Sequence, residues 1–232
     1  MLRELLSILR SNDPLGSMGA DFARMLQITC QMTMTAGEMY FGQTETTSKK
    51  RTALYKQDVE VNKLERAIRK RVVAHLSLHA NRMDLPYCLF LVGLVKDVER
   101  IGDYAKNLSE VSDFYQGPLP DDPLVSELQE IRNGVEEMFR AASQIFSTED
   151  REQAVSCISN GRNLAHRSDA LIVRIAHGDY VSGVTTALVL GTRYYKRIGG
   201  HVINVLSSVV MPLHKVDFFD EDELRKADDD PA

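Results

Sequence analysis

The sequence predicts an all-α protein of two tandem three-helix bundles, six long antiparallel helices in order. Three observations carry this. Apolar residues recur at three- and four-residue steps almost throughout, the period of a helix face. The stretch Gly117-Pro118-Leu119-Pro120-Asp121-Asp122-Pro123 interrupts the chain near its midpoint, and its prolines exclude a continuous helix. The halves on either side of that break share matching motifs.

Helix 1 is predicted from Gly19 to Tyr40. It is rich in methionine, and Phe41-Gly42 stops it because glycine relieves the backbone at a helix C-terminus. Helix 2 runs from Thr47 to Ala80 on a stripe of Leu54, Val61, Leu64, Ile68, Val72 and Leu76. Asn81 to Asp84 makes the turn. Asp84 is placed to cap the next helix, and Pro86 is tolerated in a first turn. Helix 3 spans Leu85 to Phe114, with Leu94, Val98, Ile101, Ala105 and Leu108 inside.

Helix 4 spans Leu124 to Phe146. Leu128, Ile131, Val135, Met138, Ala142 and Ile145 repeat in three-four steps, the signature of a bundle seam. Ser147 or Thr148 is expected to cap helix 5, with Glu149 and Asp150 favourable in its first turn. Helix 5 ends near His177-Gly178, and helix 6 runs from Val181 to Pro212. The chain therefore divides into a first repeat (1–116), a Pro/Gly linker (117–123), a second repeat (124–212) and an acidic tail (213–232). Helices of about 25 to 30 residues span roughly 40 Å. Short connections force neighbours to run antiparallel, so each half closes as an elongated bundle.

The internal repeat is clearest in helices 3 and 6. Glu99-Arg100-Ile101-Gly102-Asp103 matches Lys196-Arg197-Ile198-Gly199-Gly200, and Asn107 matches Asn204. Val61-Asn62-Lys63-Leu64-Glu65 is echoed more faintly by Ser168-Asp169-Ala170-Leu171-Ile172. A glycine inside a helix costs about 1 kcal/mol relative to alanine. Gly102 and Gly199 are expected to be kept for close approach of a neighbouring helix.

Composition narrows the function. Apolar residues at 44% and charged residues at 26% are ordinary for a globular protein. A net charge of -5 argues against the broad basic footprint of a duplex nucleic-acid binder. The basic run from Arg66 to Arg71 reads as a solvated helix face. Cys30, Cys88 and Cys157 are far apart with no CxxC, which fits reduced core residues in a reducing compartment. No apolar run approaches the roughly 18 residues of a membrane span, and MLRELLSILR lacks the apolar core of a signal peptide. A cytoplasmic location follows as the expectation. Leu2, Leu5, Leu6 and Leu9 share one helical face, which is expected to pack on its own domain.

The chemistry-bearing residues are carboxylates. Asp58, Asn62 and Glu65 fall within about 60° of one another on helix 2, at the edge of its apolar stripe. Glu99 and Asp103 form an i,i+4 pair on the polar flank of helix 3. Hard oxygen ligands presented from two adjacent helices suit a cation. The competing reading is solvated acids, with Asp58 or Glu65 paired to Lys106 or Arg69. No histidine has Glu three positions before it, which removes the ferritin-like di-metal pattern. His75 and His79 share a face at i,i+4, but two imidazoles alone make a weak zinc site. No phosphate-binding loop or GxSxG is present, and no catalytic residue is assigned.

The run Asp97-Val98-Glu99-Arg100-Ile101-Gly102-Asp103-Tyr104-Ala105 with Asn107-Leu108 resembles the hallmark of the PhoU family. So does Asp58-x-x-Val61-Asn62-x-Leu64-Glu65 upstream. The resemblance covers essentially the whole chain. It implies a cytoplasmic, non-enzymatic regulator of phosphate uptake and signalling. Such a protein works with a phosphate transporter component or a sensor kinase, and often as a homodimer. It also implies a multinuclear metal cluster, commonly iron or zinc, on the bundle surface. The first-repeat candidates are Asp58, Asn62, Glu65, Glu99 and Asp103, with Asp97 weaker because it points about 160° from Glu99. The second repeat departs from the pattern. Lys196, Gly200, Ala165 and Ile172 replace the acids and only Asp169 remains, so no second cluster is expected. The second hairpin also reads one to two turns shorter. The alternative function is a metal-binding helical bundle with a storage or hydrolytic role.

Overall fold

The computed structural model describes residues 14–44, 47–78, 83–148 and 150–212. Among them all regular structure is helical: α1 Pro14–Tyr40, α2 Ser48–Leu78, α3 Leu85–Glu110, a 3-10 turn Val111–Asp113, α4 Pro123–Thr148, α5 Arg151–Ala176 and α6 Ser182–Val210. The leucine face at residues 2 to 9, His79, Asn81, Glu149 and the acidic tail lie outside the described residues, as does the side chain of Ser147.

Helices α1, α2 and α3 pack on one another, and α4, α5 and α6 do the same. The halves join where α3 lies along α6 and α1 meets α4. Both junctions are antiparallel. Phe22 near the start of α1 touches Phe146 near the end of α4, with ring centroids 5.4 Å apart. Across α3 and α6, Asp97 meets His201 and Tyr104 meets Tyr194. These two contacts exchange under the internal repeat, since Tyr104 corresponds to His201 and Asp97 to Tyr194. The halves are thus related by a pseudo-twofold, and one continuous apolar core runs through both.

The stripes fold as their spacing dictates. All six seam residues of α4 are buried, as are the five of α3. On α2, Leu54, Val61, Ile68 and Val72 are buried, while Leu64 and Leu76 are only partly so. Their places in the stripe go to Glu65 and His75, and Asp58 fills the step between Leu54 and Val61. Gly42 closes α1 with φ 67°, the left-handed conformation that favours glycine.

Two caps differ from expectation. Asp84 makes no side-chain cap for α3. Its carboxylate accepts from the His75 ring Nε2 at 2.8 Å, tying the end of α2 to the start of α3. Asp150, not Ser147 or Thr148, caps α5, accepting from the Gln153 backbone N–H at 2.9 Å. Thr148 instead donates back to the Gln144 carbonyl. In the linker, Asp122 caps α4 through Leu124 and Val125 N–H groups and accepts from the Tyr180 hydroxyl.

Gly102 and Gly199 do face neighbouring helices, but the tightest approaches fall at two other glycines. A Cβ on Gly102 would stand 3.4 Å from Thr29 Cγ2, an ordinary contact, and one on Gly199 3.3 Å from Val135 Cγ2. At Gly37 it would lie 2.4 Å from the Tyr195 hydroxyl, and at Gly191 2.3 Å from the Tyr40 ring. Those glycines admit tyrosines at the joint between the halves. The shortening of the second hairpin lies in its first helix: α5 has 26 residues against 31 in α2.

Candidate functional site

The predicted acids gather along the seam between α2 and α3. Its antiparallel register is set by Arg51, which donates to Asp113 at 2.8 Å, and by the Tyr55 hydroxyl on Glu110. One turn further, Lys106 crosses from α3 to Asp58 on α2. The same register brings Glu65 to the level of Glu99. The structure therefore draws Asp58 toward Asp103 and Glu65 toward Glu99, as two stations along one seam.

At the first station, Lys106 Nζ lies 3.3 Å from Asp58 Oδ2 and 3.4 Å from Asp103 Oδ1. Asn62 Nδ2 stands 3.5 Å from the same Asp58 oxygen. Burial pulls the Lys106 pKa down, but Asp58 and Asp103 more than offset it and hold it above the usual lysine value. At the second station, Lys96 donates to Glu99 Oε2 at 2.5 Å. Arg69 approaches Glu65 Oε1 at 3.0 Å without an N–H aimed along the contact, so that buried oxygen has no hydrogen bond.

Each predicted acid is thus held by a cation of the chain. Glu99 is tied within its own helix at i,i+3 and Glu65 at i,i+4. Among the described residues, no three His, Cys, Asp or Glu side chains converge closely enough to hold a metal ion. In this arrangement the seam fits ammonium and guanidinium groups rather than an iron or zinc cluster, which needs several donors on one ion. His75 is bonded to Asp84.

The equivalent seam in the second repeat is built differently. Lys196 on α6 reaches both Asp169 oxygens on α5, at 2.6 and 2.5 Å. Ala165 and Ile172 are partly buried beside it, and a Cβ on Gly200 would meet nothing within 4 Å.

Two polar clusters at the joint between the halves escaped the sequence reading. Asp97 Oδ1 accepts from Asn204 Nδ2 at 2.8 Å and lies 2.8 Å from His201 Nδ1, while Tyr104 stacks on the His201 ring. The signal was present: a side chain about 160° from the acid face of α3 must look toward another neighbour. The second cluster is Arg132 and Glu136 on α4, paired at 2.8 Å and both buried. Arg132 also donates to Gln43 at 2.8 Å and lies over the Phe41 ring at 5.0 Å. Their i,i+4 spacing one position past the apolar seam marks them only in hindsight.

A cavity of about 880 Å³ opens at the end of the bundle. The α1–α2 turn and the midpoint linker meet there, and Tyr40, Arg51, Asp113, Tyr115 and Gln129 line it. The Arg51 guanidinium is engaged by Asp113, Ser112 and the Ser109 carbonyl.

With this geometry in place, comparison with known proteins is informative. Residues 22–112 match the family model described as "PhoU domain". The fold is similar to that of a PhoU from Pseudomonas aeruginosa, with TM-score 0.76 and 18% identity over 87% of this chain and 97% of that one. It is also similar to the phosphate transport system regulatory protein PhoU from Streptococcus pneumoniae, with TM-score 0.73 and 14% identity over 88% and 94% of the two chains. No curated protein matches the chain.

Proposed function

We propose that this chain, which carries a PhoU domain in its first repeat, is a cytoplasmic regulator of phosphate transport and phosphate signalling that acts by protein–protein contact. The observation that carries the proposal is the PhoU domain match over residues 22–112, set in a fold that follows PhoU structures across both repeats. The Streptococcus protein of that fold is described as a phosphate transport system regulatory protein. For the present chain, the partner in this reading is a phosphate transporter component or a sensor kinase, and the chain works as a homodimer rather than as an enzyme.

Two features support a contact mechanism. No helix among the described residues is long and apolar enough to cross a membrane, which is consistent with contact from outside the bilayer. Tyr55, Val59 and Val73 on α2, and Leu85 and Leu89 on α3, also leave apolar side chains exposed on the outer hairpin.

The experiment is deletion of the gene followed by phosphate uptake measured in phosphate-replete and phosphate-starved cells. Loss of the difference between the two conditions, restored by the wild-type chain, supports the proposal. Uptake that stays fully phosphate-responsive without the protein overturns it.

A further inference from the structure

The acid seam of the first repeat poses an electrostatic problem that the chain must solve. Asp58 and Asp103 face each other from adjacent helices, and Asp58 is buried. Two carboxylates so placed repel, and a partly desolvated pair needs a counter-charge between them. A bound metal ion is one solution, and an ammonium is another.

We infer that Lys106 is the resident cation of this seam, bridging Asp58 and Asp103 so that the first repeat keeps its carboxylates in place without a metal ion. The bridge crosses from helix to helix, unlike the Arg69–Glu65 and Lys96–Glu99 pairs, which lie within single helices. The lysine side chain is 21% exposed and that of Asp58 11%, so the cross-helix contact is partly desolvated and less screened than a surface ion pair, while the i,i+3 contact to the more exposed Asp103 is the weaker arm. An ammonium offers three donors, and the two carboxylate oxygens take two of them. Four carboxylates here meet three cations of the chain, with Lys106 serving both Asp58 and Asp103. A metal ion entering at this station would displace Lys106 and find only two carboxylates.

Full-length wild type, Lys106→Met, Asp103→Asn and the Lys106→Met/Asp103→Asn double variant test this. Each is loaded with zinc, or with ferrous iron under anaerobic conditions, then dialysed free of excess. Metal is read by elemental analysis, and unfolding midpoints are read with and without a chelator. Wild type is expected to retain no stoichiometric metal in the seam and to unfold at the same temperature in both buffers. Lys106→Met is expected to lower the midpoint by about 3 °C or more, and the added Asp103→Asn to recover part of that loss by removing the repulsion. Wild type that retains an equivalent or more of metal, loses it in Asp103→Asn and melts lower with chelator overturns the inference. So does a Lys106→Met protein as stable as wild type. Should Lys106→Met fail to fold, the wild-type and Asp103→Asn arms still decide.

Discussion

The Arg132–Glu136 pair gives the sharpest quantitative test of how the halves are joined. Its side chains are only 8% and 5% exposed, and the two groups are 2.8 Å apart. Replacing Glu136 with alanine strands the guanidinium in the joint. Breaking a buried ion pair from one side costs about 3–5 kcal/mol, because the remaining charge stays desolvated. Arg132 keeps Gln43 and the Phe41 face, so the lower end, about 3 kcal/mol, is expected. The second partner of Glu136, Arg140, is 60% exposed and adds little. For a chain of this length about 3 kcal/mol lowers the unfolding midpoint by roughly 6–12 °C. The double variant Arg132→Met/Glu136→Leu removes both charges at similar volume and is expected to lie within about 1 kcal/mol of wild type, or above it. Urea unfolding followed by far-UV circular dichroism is the assay, since the chain has no tryptophan. A Glu136→Ala protein that loses less than about 1 kcal/mol, or a double variant that loses as much as the single, refutes the reasoning.

Further outcomes follow from the same joint and the linker. The Tyr195 hydroxyl is fully buried and has no hydrogen-bond partner among the described residues. Tyr195→Phe should therefore be neutral or stabilising by up to about 1 kcal/mol in the same urea assay, and a loss of more than that amount would show the hydroxyl to be satisfied. Burial, then the hydrogen bond to Asp122, pushes the Tyr180 pKa up to about 12. A raised tyrosine pKa stabilises the fold fully below the unfolded value of about 10 and loses that contribution as pH rises toward the folded value. Melting midpoints between pH 9 and 12 should fall more steeply in wild type than in Tyr180→Phe; parallel curves would remove the linker contact from the account.

The sequence made the frame legible because burial of a helix face leaves a period that survives any detail of packing. The α4 seam and the Pro/Gly break needed no tertiary knowledge. The caps were less legible. Asp84 and Ser147 or Thr148 have the right chemistry near the right place, but His75 claims Asp84, and Asp150, two positions after Thr148, caps α5. The glycine reading was incomplete in a similar way, since Gly102 and Gly199 do meet neighbouring helices but not at the tightest approaches. A repeated motif drew attention to Gly102 and Gly199, whereas the tight approaches at Gly37 and Gly191 depend on tyrosines from other helices, which no local pattern reveals. At the candidate site, helical geometry placed the acids on facing flanks correctly. It could not decide between a bound ion and Lys106, because that depends on which side chain reaches across α2 and α3.

The two repeats hold their outer seams with one cross-helix lysine each, but not at equivalent positions. By the motif alignment, Lys196 corresponds to Glu99, whereas Lys106 corresponds to Ile203. The bridging cation therefore sits about two turns apart in the two halves. In the first repeat the central helix α3 supplies acids and the lysine that steadies them. In the second, the central helix α6 supplies the lysine and the outer helix α5 the acid. The pseudo-twofold that relates the backbones thus does not relate the charges. At the level where Lys196 pairs with the more exposed Asp169 in the second hairpin, the first hairpin buries Glu65 and Glu99 beneath the more exposed Arg69 and Lys96. Like-charge juxtaposition disfavours a wrong fit more strongly than matched charges favour a right one. Under the regulator reading, the two outer faces differ in the charge they offer a partner.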